Sequence, residues 1–144
     1  MAARILMVLS SSILLTLGIM HLSLMFGGTG LTPRDPALQA SMSTTSPVLT
    51  DETTMWRCWM GFNATHSMAL ILFGLMYGYL ALAHSQLLFR SPFLLFVGFA
   101  TLACLLVLCK LYFFRSPLLG VSASLLFYVV SVAVSRVDGY FTKA

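Results

Sequence analysis

Ile5-Leu-Met-Val-Leu-Ser-Ser-Ser-Ile-Leu-Leu-Thr-Leu-Gly-Ile-Met-His-Leu-Ser-Leu-Met-Phe26 contains no charged side chain. At ~1.5 Å per residue a helix of this length crosses the ~30 Å hydrocarbon core of a bilayer. A secretory leader is the rival reading, because Arg4 precedes the apolar run. The run is too long for the apolar part of a typical leader, and Gly27-Gly28-Thr29-Gly30 makes a poor cleavage site. The segment is therefore read as an uncleaved membrane helix, and that reading sets the class of the whole protein.

The composition agrees. Of 144 residues, 59% are hydrophobic and only 8% charged, with mean hydropathy +0.95; soluble domains carry about 25% charged residues. Eight Lys and Arg against four acids give a net charge of +4. They are scattered, without a basic run, which excludes a nucleic-acid surface and fits anchoring to lipid headgroups. Cys58, Cys104 and Cys109 have neither CxxC nor zinc spacing. They read as buried small hydrophobes; a Cys58–Cys109 disulfide is the alternative if both helix ends meet on an oxidising side.

Three more spans follow, at 56–82, 93–114 and 117–135, giving an all-α fold: one integral membrane domain over 1–144, a four-transmembrane-helix bundle. Pro92 and Pro117 belong in first turns, each after a serine able to cap. The connections at 84–91 and 114–116 are short, so the last three spans are expected as antiparallel neighbours. Residues 27–55 form one long, partly helical loop between the first two spans, expected to cap one end. Within it, Asp35 and Pro36 read as N-cap and first residue of a short helix, Ala37 to Met42. Thr50-Asp51-Glu52 reads as a second start, so the second span is expected to begin near residue 51.

Orientation hangs on a tie. With the N-terminus inside, Arg4, Arg90, Arg136 and Lys143 lie on the cytoplasmic side, and Arg34, Arg57, Lys110 and Arg115 on the other. The terminal amine and the place of Lys110 within a span tip the balance to N-in, C-in with the long loop outside.

Small residues mark the packing faces. Gly74-Leu-Met-Tyr-Gly78 is a GxxxG, which lets helix backbones approach closely. Gly120, Ser124, Tyr128, Ser131 and Ser135 share one stripe of the last span, and Ser11, Gly18 and His21 stand in similar register on the first.

The chemistry concentrates in Trp56-Arg-Cys-Trp-Met-Gly-Phe-Asn-Ala-Thr-His-Ser67. Polar side chains entering hydrocarbon face protein, a cavity or a ligand. Trp59, Asn63, His66 and Ser67 fall on one helical face, with Asn63 and His66 roughly 6–12 Å below tryptophans placed at the interface. His21 reaches a comparable depth, and Lys110 returns to the same side. The candidate ligand-binding set is therefore His21, Arg57, Trp59, Asn63, His66 and Lys110. Each has a plainer reading: the histidines as interhelical hydrogen-bond partners, and Arg57 and Lys110 as snorkelling to headgroups. His84, in a short connection, reads as a solvated surface residue. His21 and His66 could ligate a haem or chlorin pigment, or the set could hold a quinone or anionic lipid headgroup. The spans contain no Asp or Glu, which argues against acid–base hydrolysis and against carboxylate-bridged metals.

Gly30-Leu-Thr-Pro-Arg-Asp-Pro36, and the 56–66 run leading into Tyr77-Gly-Tyr-Leu-Ala81, resemble an uncharacterised family of small four-helix bacterial integral membrane proteins. The resemblance implies a bacterial inner-membrane location and brings no activity with it. The sequence thus points to a non-enzymatic accessory or scaffold subunit that docks on other membrane proteins, or on itself, through the GxxxG face, aromatic surfaces and the loop. A small-ligand binder using His21 and His66 is the alternative.

Overall fold

A computed structural model describes residues 1–137; Lys143, counted above for orientation, lies outside them. Among the described residues all regular structure is helical: α1 (Ala2–Gly27), α2 (Pro36–Thr44), α3 (Met55–Ala83), α4 (Ser85–Arg90), α5 (Pro92–Tyr112) and α6 (Arg115–Val137). α1, α3, α5 and α6 are long and apolar enough to cross a membrane. The chain divides into two compact units, Met1–Leu17 with Leu70–Ala144, and Gly18–Ala69.

The first unit holds the larger core. Ala3, Met7 and Leu14 of α1, Phe73, Tyr77 and Ala81 of α3, Leu88 and Phe89 of α4, Leu95 and Leu102 of α5, and Tyr128 of α6 are buried together. Between spans, lipid tails are as apolar as leucine, so close packing and hydrogen bonds must hold helices together. Both are present. Ser10 and Ser124 exchange bonds, each hydroxyl donating to the other's carbonyl oxygen at 2.8 and 3.0 Å. Ser131 Oγ donates to Ala3 O at 2.7 Å. Tyr77 Oη and Tyr128 Oη donate to Leu94 O and Leu95 O at 2.7 and 2.8 Å. Ser124, Tyr128, Ser131 and Ser135 are all buried, so the polar stripe faces inward.

Gly74 and Gly78 serve this core. A Cβ on Gly74 would lie 2.6 Å from Leu15 Cβ and 2.8 Å from Leu15 N and Ser11 O. The GxxxG face is thus an internal α1–α3 contact. At Gly74 the close approach that the motif allows is taken by α1. On Gly120 a Cβ would come within 2.9 Å of Leu17 Cδ1. Gly98 is the tightest site, where a Cβ would overlap Tyr128 Oη and meet Tyr77 Cε1 at 2.7 Å.

Local chemistry corrects several expected boundaries. α3 begins at Met55, not near 51, because Thr50 Oγ1 accepts from Glu52 N at 3.2 Å and holds those residues in a turn. Thr54 Oγ1 then accepts from Arg57 N at 3.4 Å, the N-cap arrangement. Residues 85–90 form a helix instead of an open connection, because Leu88 and Phe89 join the core. Ser91 ends it in extended backbone, as a residue before proline prefers, and its side chain caps α5 through Leu94 N at 3.3 Å. Ser116 does not cap: α6 starts earlier, at Arg115. Pro117 is tolerated as its third residue, where the missing N–H would have had no helical acceptor. The three thiols are free, and Cys58 and Cys104 are exposed where burial was expected; Cys109 is buried. Arg4, expected only as a flanking charge, donates from Nε to Ala81 O at 3.1 Å and from Nη2 to Leu82 O at 2.6 Å. It thereby satisfies carbonyls that the end of α3 leaves open.

The second unit comprises the C-terminal part of α1, the 28–54 segment with α2, and the start of α3. Asp35 caps α2 by accepting from Ala37 N at 2.9 Å, with Pro36 as its first residue. The segment is tied back by Met55 N donating to Thr45 O at 2.8 Å. It is tied again by Trp59 Nε1 donating to Leu31 O at 3.0 Å.

Candidate functional site

Within the second unit, α1 supplies His21 and α3 supplies Trp59, Asn63, His66 and Ser67. Spacings of three and four residues make these α3 side chains neighbours up one face, and hydrogen bonds run along it. Asn63 Nδ2 donates to Trp59 O at 2.8 Å, and Ser67 Oγ donates to Asn63 O at 2.9 Å. Asn63 is 7% exposed and Ser67 fully buried.

The bond to Trp59 O fixes which way the Asn63 amide faces. Its Oδ1 therefore points to His21 Nε2, 3.1 Å away. An amide oxygen only accepts, so Nε2 carries the proton and donates, and the lone pair of a neutral His21 resides on Nδ1. His66 lies against the same imidazole, with ring centroids 5.4 Å apart and planes at 83°, an edge-to-face contact.

Of the residues singled out in the sequence, the structure joins His21, Asn63 and His66, with Trp59 bonded alongside through its carbonyl. Arg57, one residue from Cys58 on α3, is exposed. Lys110 belongs to the first unit, exposed in the last turn of α5. His84 is exposed and meets Tyr79 Oη at 3.3 Å. Leu31 carries no side-chain chemistry and escaped notice; its backbone carbonyl anchors the Trp59 indole, which no residue pattern announces. Ser10 and Arg4 were likewise missed as interior partners, although serine in an apolar span is a recognisable signal for interhelical bonding.

The arrangement binds one helix to another more readily than it holds a cofactor. Two imidazoles in edge contact leave no room for a flat macrocycle between them, and His21 Nε2 already bonds Asn63. Among the described residues no three His, Cys, Asp or Glu side chains gather where a metal ion would sit. No protein-family model matches this chain, and neither a curated protein nor a solved structure matches it.

Proposed function

We propose that the chain is a non-enzymatic integral membrane protein, an accessory or scaffold subunit of a larger complex in the bacterial inner membrane. In this reading the four long helices form a transmembrane bundle, N-in and C-in, with the 27–55 loop outside. One observation carries it: among the described residues every buried side-chain nitrogen and oxygen has a hydrogen-bond partner. The fully buried polar groups are thereby committed to the chain's own packing. Here Ser10, Ser124, Ser131, Tyr77 and Tyr128 bond from one helix to another, His21 bonds Asn63, and large apolar side chains such as Phe62, Phe93 and Phe96 face outward.

The test is native mass spectrometry of the protein extracted gently from its own membrane. The reading expects an assembly heavier than the 15.8 kDa chain. A chain found alone with a small constant adduct would refute it and favour the second reading, a binder of haem, pigment, quinone or lipid. That second reading draws on the oriented His21, whose Nδ1 lone pair could accept from or coordinate a ligand. His66→Ala then separates the two: a scaffold loses about 0.6 kcal/mol of stability, whereas a binder loses its adduct.

A further inference from the structure

We propose that the loop tip at Val48 and Leu49 seats against a second copy of this chain, guided by complementary charges on the loop and at the start of α3. This rests on the subunit reading and names the partner. Val48 and Leu49 are essentially fully exposed, at a turn closed by Thr50 N donating to Pro47 O at 3.3 Å. Turns favour Gly, Asn, Asp and Ser at their tips, so adjacent aliphatic side chains there need a reason. The loop does not fold them inward, being held by the Met55–Thr45 and Trp59–Leu31 bonds.

Charge selects the occupant. Asp51 and Glu52 follow the tip directly, and Arg34 and Arg57 lie in the same unit; all four are exposed. None of the four has an ion-pair partner among the described residues. A third exposed acid, Asp35, is engaged as the N-cap of α2; the two acids and two cations that remain open make a self-complementary set, in which a two-fold axis brings the acids of one copy to the cations of the other. Copies inserted in one orientation hold this loop at one level of the membrane, so loop meets loop. An anionic lipid surface is the poorer occupant, because Asp51 and Glu52 would be repelled by its headgroups.

The test uses full-length protein in liposomes at graded protein-to-lipid ratios, with copy number read by single-molecule photobleaching. Wild type should pair in a concentration-dependent way, more weakly at high salt. Asp51→Arg with Glu52→Arg should lower the association constant by about tenfold or more. Adding Arg34→Glu and Arg57→Glu to that chain should restore it to within roughly twofold, since the set is then complementary with signs exchanged. Val48→Ser with Leu49→Ser should abolish pairing with all charges intact, and unchanged helix content by circular dichroism shows that the fold survives. Acid reversal without effect, or failure of the fourfold exchange to restore pairing, overturns the proposal. A monomer at every ratio overturns it too. If native membranes still yield a larger assembly with other polypeptides, the subunit reading survives that result; if they yield a lone chain, both fall.

Discussion

Gly74→Ala adds one methyl group where the structure has no room. The new carbon would lie 2.6 Å from Leu15 Cβ and 2.8 Å from Leu15 N and Ser11 O. Carbon contacts settle near 3.5–4.0 Å, so α1 must withdraw by about 1 Å along this line. Two of the three atoms met are backbone, so no change of rotamer relieves the overlap. Overpacking costs about 1–3 kcal/mol, and an immovable neighbour puts this case in the upper half. Gly78→Ala, one turn further along the same motif, meets only Ser11 Cβ at 3.6 Å, ordinary contact. Both substitutions gain the same intrinsic helix preference of alanine over glycine, so their difference isolates the overlap. That difference should be about 2 kcal/mol, a ratio of roughly 30 in the folding constant. Steric trapping in bicelles, or reversible unfolding in mixed micelles, measures it on the intact chain. Two variants equal within about 0.5 kcal/mol, the scatter of neutral changes, would show that α1 does not pack on Gly74 as described.

Three further outcomes follow from single contacts. Arg4→Ala should cost roughly 1–2 kcal/mol through the two carbonyls it leaves open, with faster hydrogen exchange at the end of α3; Arg4→Lys should rescue this only in part, because an ammonium lacks the guanidinium fork. Nitrogen-15 NMR should find neutral His21 as the Nε2–H tautomer, and Asn63→Leu should abolish that preference; an Nδ1–H tautomer in the wild type would contradict the Asn63 orientation. Among the thiols, Cys58 should react first with a water-soluble maleimide in sealed membranes and Cys109 last, and labelling of Cys58 from the outer face alone would support the proposed N-in insertion.

The four long helices were legible because an apolar run of span length admits few other structures in so uncharged a chain. The α2 start was legible for a different reason: Asp35-Pro36 combines a side chain that caps with a ring that needs no N–H partner. Boundaries governed by competing local bonds were not. Thr50 and Thr54 are equally good caps by type, and only geometry shows that the first holds a turn while the second starts α3. Residues 84–91 read as a plain connection because a six-residue helix leaves little periodicity, and its formation depends on where Leu88 and Phe89 find a core.

The polar residues pose a deeper ambiguity. Periodicity assigns Asn63, His66 and Ser67 to one face, yet the same face serves a ligand site or a helix contact equally well. What separates the two is whether each donor and acceptor is already matched, and matching depends on partners such as Leu31 O and Trp59 O that belong to the backbone and leave no mark on composition. The GxxxG motif behaves the same way. Glycine spacing states that a backbone can come close and says nothing about whose. In this chain α1 takes that place at Gly74, and the proposed partner is offered the groups that the interior leaves open. The Val48–Leu49 tip and the exposed charges on and beside the 28–54 segment are such groups, which is why the proposal seeks recognition there and not at His21 and His66, which already meet each other.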